Sequence, residues 1–255
     1  MNKALSLAAS ETGSRPDSSS PQVSCEPQTL WERAAESRWG KYLTEIEEQA
    51  LLTAHHHFQA PGVGLEVGCE GGRWCRLLAS LGWQMTGTDV NPETLRLCQE
   101  RSPGVRCVLV DNHDESFPVD AQSIDLLLCM EVPVVEAPWF AGEAQRVLKP
   151  GGLLVGNLLN RSSWRGIATN VKSVLRGHPR YYNQRYAPLR ASLRKHGFSL
   201  VHERGFGWAP FGRLSESPWI ATAANWEHRL GLHRLVRISP WVAFVATSRQ
   251  IVSAN

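Results

Sequence analysis

A glycine-rich turn after a short apolar segment constrains the fold of this chain more than any other feature. Residues 63–67 are mostly apolar but too few for an ordinary helix, and Gly68 follows them directly, so we predict a buried strand that ends there. Residues 74–81 carry apolar side chains at helical spacing up to Gly82, and residues 85–89 are typical of a second strand. A strand, a glycine turn, a helix and a strand predict an α/β fold with a doubly wound parallel sheet, which binds ligands beyond the carboxyl ends of its strands.

Two acidic residues stand where such a ligand would bind. Asp89 ends the second predicted strand 21 residues after Gly68, a separation at which an acid meets ribose hydroxyls, although an isolated Asp there could equally cap a turn. Glu66 lies within the apolar strand, where a charge is costly unless it is paired. The nicotinamide fingerprint G-x-G-x-x-G is not matched, because Glu70 and Arg73 occupy its second and third glycine positions.

The turn resembles motif I of the class I S-adenosylmethionine-dependent methyltransferases, acid-x-Gly-x-Gly-x-Gly. Glu66, Gly68 and Gly72 match it, and Glu70 replaces the middle glycine. Asp89 and the Lys-Pro-Gly-Gly turn at residues 149–152 are also similar to that family, and the resemblance covers roughly residues 60–160. It implies S-adenosyl-L-methionine as cofactor, and a seven-stranded, mostly parallel sheet with helices on both faces and helical lid insertions.

The same resemblance implies which residues bind the cofactor and where the transferred methyl lies. The expected contacts are Glu66, Gly68, Cys69, Gly72, Asp89, Val90, Asp111, Asn112 and Cys129. Asp111 and Asn112 match the place of the adenine contact, and the carboxyl end of the predicted fourth strand, Cys129 to Glu131, should face the methyl group. Glu70 should point away from the cofactor, toward Arg73, because it would otherwise repel the cofactor carboxylate.

A general base is needed only for a protonated acceptor. His113, His178 and Tyr182 are candidates for that base, although a single histidine is more often structural.

Nothing in the sequence predicts a metal site. Residues 55–57 are three consecutive histidines, but consecutive helical positions point in different directions and cannot converge on one ion. Ubiquinone-type O-methyltransferases carry E-V-L-E-H after the fourth strand, whereas residues 131–136 read E-V-P-V-V-E without a histidine.

Length and composition indicate one domain with additions. The chain has 255 residues, 42% of them hydrophobic and 20% charged, as in globular proteins. We expect residues 1–28 to form a disordered tail and residues 29–255 to form the methyltransferase domain. No apolar run reaches the roughly 18 residues of a membrane span, and we expect a cytoplasmic protein whose six cysteines are reduced. The oligomeric state does not follow from the sequence.

The carboxyl-terminal part is strongly basic, with 15 Lys or Arg against three acids from Arg161 onward. Segments 161–185 and 208–238 should both overhang the cofactor as lids, because they follow parallel strands. Their arginines and aromatic residues predict a small anionic or aromatic acceptor, although a solvated surface would have the same composition.

Three other functions are compatible with parts of the sequence. A nucleic-acid groove has a similar composition to the predicted lids, so an RNA methyltransferase is one alternative. We favour a small-molecule acceptor because no RNA-binding module precedes the core. The other two are a cofactor-binding protein without transferase activity, which Glu70 in the turn would allow, and a nicotinamide-dependent oxidoreductase.

Overall fold

The computed structural model describes residues 29–179 and 183–249. The predicted tail, residues 1–28, and the candidate base Tyr182 lie outside the described residues. The strands are β1 (Val63–Val67), β2 (Gln84–Asp89), β3 (Arg106–Leu109), β4 (Ile124–Met130), β5 (Leu148–Leu159), β6 (Phe198–Phe206) and β7 (Trp241–Ser248). The α-helices are α1 (Leu30–Glu36), α2 (Arg38–His55), α3 (Arg73–Ser80), α4 (Pro92–Arg101), α5 (Phe140–Val147), α6 (Trp164–Leu175), α7 (Tyr186–Lys195) and α8 (Ile220–Arg229). Short 3-10 helices cover Pro133–Glu136 and Leu232–Arg234.

The seven strands form one sheet in the order β3-β2-β1-β4-β5-β7-β6. Strands β1 to β5 pair in parallel, whereas β7 pairs antiparallel with both β5 and β6. The predicted α/β fold with a seven-stranded, mostly parallel, doubly wound sheet is confirmed. Because parallel strands end at the same edge, the glycine turn after β1 and the ends of β2 and β4 are brought together there.

A hydrophobic core covers each face of the sheet, because the side chains of the central strands alternate between the two sides. On β4, Leu126 and Leu128 pack against α2, α3 and α4, while Leu127 packs on the opposite face against α5 and α7. All three leucines are fully buried. The helices on both faces therefore hold the sheet edge, and with it the glycine turn, in a fixed position.

Helix α5 begins at Phe140, after the 3-10 helix that ends at Glu136. The two stay separate because Ala137 has extended backbone, as a residue before proline generally does.

The apolar stripes of the two inserted helices face solvent, which differs from the expectation of packed lids. Ile167, Val171 and Val174 of α6 and Trp226 of α8 are more than half exposed. No helix among the described residues is long and apolar enough to cross a membrane.

Candidate functional site

A cavity of about 620 Å³ opens at the carboxyl edge of the sheet, within the size range of small-molecule sites. The glycine turn and the ends of β2 and β4 form its floor, and α1 and α2 form its roof. Its lining includes Glu66, Gly68, Cys69 and Asp89, four of the residues that the resemblance implies.

The turn after β1 has left-handed backbone at three alternate positions. Gly68, Glu70 and Gly72 have φ angles of 69°, 50° and 78°. A Cβ at Gly68 would lie 2.4 Å from a methyl carbon of Val132, so a side chain at position 68 would collide with the segment after β4. The middle position tolerates a side chain, but a non-glycine residue with left-handed backbone is strained there.

Both carboxylate oxygens of Asp89 are held by the backbone. The Glu70 N–H donates to Oδ2 at 2.8 Å and the Asn91 N–H donates to Oδ1 at 2.9 Å. These two hydrogen bonds orient Asp89 at the cavity wall while leaving lone pairs on both oxygens for a ligand hydroxyl.

Glu66 is a buried carboxyl group with one unsatisfied oxygen. Its side chain is 3% exposed and lines the cavity, and Oε2 has no hydrogen-bond partner among the described residues. Burial raises the pKa of Glu66 to about 8, although hydrogen bonds from the Cys75 thiol and backbone N–H oppose that rise. A buried polar atom without a partner is costly, so Oε2 is a place where a bound donor would be stabilised.

The Glu70 side chain turns toward the start of α1 rather than toward Arg73. The Thr29 hydroxyl and the Trp31 N–H donate to its carboxyl group, but burial outweighs them and raises the pKa of Glu70. Glu70 therefore stands at the cavity wall, between the turn and the roof.

Helix α1 is fastened over the cavity by its own acidic residue. Glu32 accepts from the Thr29 N–H at 2.9 Å and from Arg101 Nη1 of α4 at 2.6 Å. Burial would raise the pKa of Glu32, but these hydrogen bonds and the positive charge of Arg101 lower it below its ordinary value. The carboxylate is thus held in its charged form between the roof helix and the domain beneath it.

Glu47 of α2 is part of a network of hydrogen-bonded polar side chains that lies under the roof of the cavity. Its carboxylate accepts from Arg73 Nη2 at 3.2 Å and from Asn157 Nδ2 of β5 at 2.7 Å. Burial raises the pKa of Glu47, as does the negative charge of Glu131, while Arg73 and Asn157 partly offset the rise. Glu47 is therefore a cavity-lining carboxyl group that is poised to exchange a proton more readily at neutral pH than an exposed glutamate.

Glu131 continues this network at the carboxyl end of β4. Its backbone is left-handed, with a φ angle of 54°. The backbone N–H donates to the side-chain oxygen of Asn157. The carboxylate pairs with Arg213 and accepts from the indole N–H of Trp241 at 3.0 Å. Arg213 also stacks over the Trp31 ring, 4.1 Å from its centroid. Arg213, which belongs to the predicted lid segment 208–238, thus contacts α1 where both line the cavity.

The remaining predicted site residues do not line the cavity. Gly72 packs against Cys98, Cys129 is buried in the core on the opposite face of the sheet, and Val90 is exposed. Asp111 and Asn112 lie just beyond β3 at the same edge as Asp89, but they are exposed and outside the lining. The candidate bases His113 and His178 are exposed and stand apart from the cavity.

The cavity lining carries more acids than cations, which differs from the expected cationic roof. Among the described lining residues the acids are Glu32, Glu47, Glu66, Glu70, Asp89, Glu131 and Glu136, and the cations are Arg73 and Arg213. Of the two predicted lids, Asn183, Gln184 and Arg213 alone contribute to the described lining. Among the described residues no cluster of three or more His, Cys, Asp or Glu could hold a metal ion.

Sequence reasoning missed Glu47 and Trp31 as parts of the cavity, whereas Arg213 lies in the predicted lid segment 208–238 and does line it. Glu47 carried a signal, since it lies within the apolar stripe of α2, next to Leu43 and Ile46, where a charge needs a partner. Nothing local in the sequence marks Trp31, whose contact with Arg213 joins positions far apart in the chain.

Comparisons with known proteins agree with the geometry. Residues 65–156 match the family described as "Methyltransferase domain". A ubiquinone biosynthesis O-methyltransferase from Nitrobacter winogradskyi is 28% identical over 164 residues, which cover 58% of this chain and 60% of that protein. The chain thus spans less than two thirds of the length of this relative.

Solved structures share the fold at low sequence identity. An S-adenosylmethionine-dependent methyltransferase from Mesorhizobium loti has a TM-score of 0.53 at 14% identity, over 77% of this chain and 96% of that one. The [4+2]-cyclase SpnF has a TM-score of 0.59 at 19% identity, over 84% of each chain. The fold therefore also occurs in a protein that is named for a different reaction.

Proposed function

Because residues 65–156 match the methyltransferase-domain family, we propose that this chain is a class I S-adenosylmethionine-dependent methyltransferase that binds S-adenosylmethionine in the cavity and methylates a small acceptor. The observation that carries the proposal is the pair of carboxyl groups in one cavity: Asp89, oriented by two backbone N–H groups, and Glu66, buried with an unsatisfied oxygen. An acid at the end of the second strand suits ribose hydroxyls, and the unsatisfied Oε2 of Glu66 suits a hydrogen-bond donor.

The cofactor, when bound, supplies an activated methyl group on a sulfonium. The chain's own residues then have to orient the acceptor and exclude water, effects that can lower a barrier by about 7–11 kcal/mol. Helix α1, fastened by Glu32 and Arg101, covers the cavity and would exclude water there. The acid-rich lining is electrostatically suited to a cationic sulfonium.

We further propose that the acceptor is an uncharged hydroxyl compound, with Glu47 taking its proton. The excess of carboxyl groups over guanidinium groups in the lining disfavours an anionic acceptor, and the matching relative is named as an O-methyltransferase. Glu47 suits the role of base because it is buried at the cavity wall and its pKa is raised by burial. His113 and His178 are exposed and do not line the cavity.

Titration calorimetry with S-adenosylmethionine tests cofactor binding. We expect micromolar binding that Asp89→Ala weakens by at least about tenfold, because an oriented carboxylate is lost. Asp120→Ala is the matched control, since Asp120 is an exposed aspartate outside the cavity and is not among the expected cofactor contacts. Absence of binding at millimolar cofactor, or equal weakening by both substitutions, would contradict the proposal.

A cofactor-binding protein without methyl transfer is the second candidate. It is favoured by Glu70 at a glycine position of motif I and by the structural likeness to a protein named as a cyclase. Formation of S-adenosylhomocysteine with a panel of phenols and alcohols separates the two functions. Cofactor binding without that product would favour the second candidate.

A further inference from the structure

Helix α6 presents its apolar stripe to solvent and its polar side to the protein. Five apolar residues at helical spacing are exposed, with Leu175 at 82%: Trp164, Ile167, Val171, Val174 and Leu175. The inward side consists of Ser163, Gly166 and Asn170. An amphipathic helix that packs on a domain normally buries the apolar side, so this orientation is the reverse of the usual one.

Specific polar contacts hold α6 in that orientation. Ser163 Oγ accepts from the Gly166 N–H at 2.9 Å, and a Cβ at Gly166 would lie 2.6 Å from the Asn160 carbonyl oxygen. Arg165 donates to the carbonyls of Ala209 and Phe211 and lies over the Trp241 ring, 4.9 Å from its centroid. The apolar side is therefore kept outward by the packing of its opposite side.

The charged residues in α6 and in the segments next to it are all basic. Residues 161–179 contain Arg161, Arg165, Lys172 and Arg176 and no Asp or Glu. Lys172 and Arg176 are exposed beside the stripe. An apolar stripe flanked by cations matches an anionic lipid surface in both respects, since the apolar side chains enter the acyl boundary and the cations meet the headgroups.

Helix α8 of the second insert repeats the arrangement. Glu227 is buried, where Tyr42 Oη and the Trp208 N–H donate to it at 2.8 and 3.1 Å, while Trp219, Trp226 and Leu230 are exposed. The two inserts follow β5 and β6, which end at the same edge of the sheet. Both thus leave apolar side chains uncovered at the edge where the cavity opens.

We propose that the exposed stripe of α6 docks on the surface of an anionic lipid bilayer. The helix would lie in the interface between the lipid bilayer and water. It would not span the bilayer, since it has 12 residues. The proposal concerns a surface outside the cavity and is independent of the proposed methyl transfer. Docking would bring the cavity mouth close to the bilayer, where an apolar acceptor would partition.

Sedimentation of the full chain with vesicles tests the docking. We expect binding to phosphatidylcholine vesicles that contain phosphatidylglycerol, and several-fold weaker binding to phosphatidylcholine alone. Ile167→Ser with Leu175→Ser should weaken binding by at least about tenfold, because two apolar side chains no longer enter the interface. Lys172→Ser with Arg176→Ser should weaken it by about fivefold for each cation, with a smaller effect in high salt.

Leu109→Ser with Val201→Ser is the matched control, because both residues are exposed apolar positions on the two edge strands, β3 and β6, and neither belongs to α6. It should leave vesicle binding unchanged, and every variant should keep the wild-type circular dichroism and melting temperature. The proposal is overturned if the wild type does not sediment with anionic vesicles, binds both compositions equally, or loses binding equally in the control. It is also overturned if the α6 substitutions instead dissociate a dimer in analytical ultracentrifugation, which would assign the stripe to a second copy of the chain.

Discussion

At the residue scale, the cavity depends on a few side chains whose environments alter their chemistry. Asp89 is oriented by backbone donors, whereas Glu66 and Glu47 are buried with raised pKa values. Glu70 is the one position where the chain departs from motif I, and the departure places a carboxyl group on left-handed backbone. Two predictions follow from these environments.

We predict that Glu70→Gly binds S-adenosylmethionine several-fold more tightly than the wild type. Glycine adopts left-handed backbone without strain, and the substitution removes from the cavity wall a carboxyl group that would repel the carboxylate of the cofactor. Glu70→Gln separates the two effects, because it removes the charge and keeps the strain. Weaker binding by Glu70→Gly in calorimetry would mean instead that the contacts of Glu70 with Thr29 and Trp31 hold the roof in place.

Glu66 should make the protein less stable as the pH rises from about 4.5 to about 8. Its pKa is higher in the folded state than in the unfolded state, so its contribution to stability is complete below about pH 4.5 and is lost as the pH passes through about 8. Glu66→Gln should reduce that loss by up to a few kcal/mol. Urea unfolding at about pH 4.5 and at about pH 8 measures the change in the free energy of unfolding. If that change is the same in Glu66→Gln as in the wild type, Glu66 is not its cause.

At the element scale, the two helices before β1 form the roof of the cavity. Helix α1 has only seven residues, and isolated helices of that length are unstable in water. The capping box at Thr29 and the pairing of Glu32 with Arg101 therefore determine whether α1 stays closed.

Arg101→Ala should release α1 and leave the rest of the domain folded. The Arg101–Glu32 pair is nearly buried, with side chains 10% and 13% exposed. Arg76, 3.9 Å from Glu32, remains after the substitution, so the loss should be smaller than the roughly 3–5 kcal/mol of an uncompensated buried charge. We expect faster hydrogen exchange in residues 30–36 and faster cofactor dissociation.

Arg96→Ala is the control for that experiment, because Arg96 pairs with Glu100 on the exposed side of α4. An exposed helix pair contributes about 0.3–0.5 kcal/mol, so exchange in α1 should not change. Equal exchange in both variants would show that other contacts hold the roof.

At the scale of the whole molecule, the sheet order decides which sequence motifs meet. The parallel strands β1, β2 and β4 bring the glycine turn, Asp89 and Glu131 to one edge. The basic part of the chain contributes mostly to the outer surface, since Arg213 is its one charged residue in the described lining. The acidic cavity and the basic outer surface are thus separate features, which suits a cationic cofactor inside and anionic lipid outside.

The fold class, the glycine turn and Asp89 could be predicted from the sequence, because each depends on local signals: strand and helix periodicity, glycine at left-handed positions, and an acid at a strand end. The cavity contacts of Glu47, Arg213 and Trp31 depend on which distant segments pack together. The outward orientation of α6 was also decided by tertiary packing, because periodicity shows that a helix has an apolar side but not which way that side faces. The contacts of Gly166 and Arg165 with the body of the domain contribute to that direction, and the contact of Arg165 joins residues far apart in the chain.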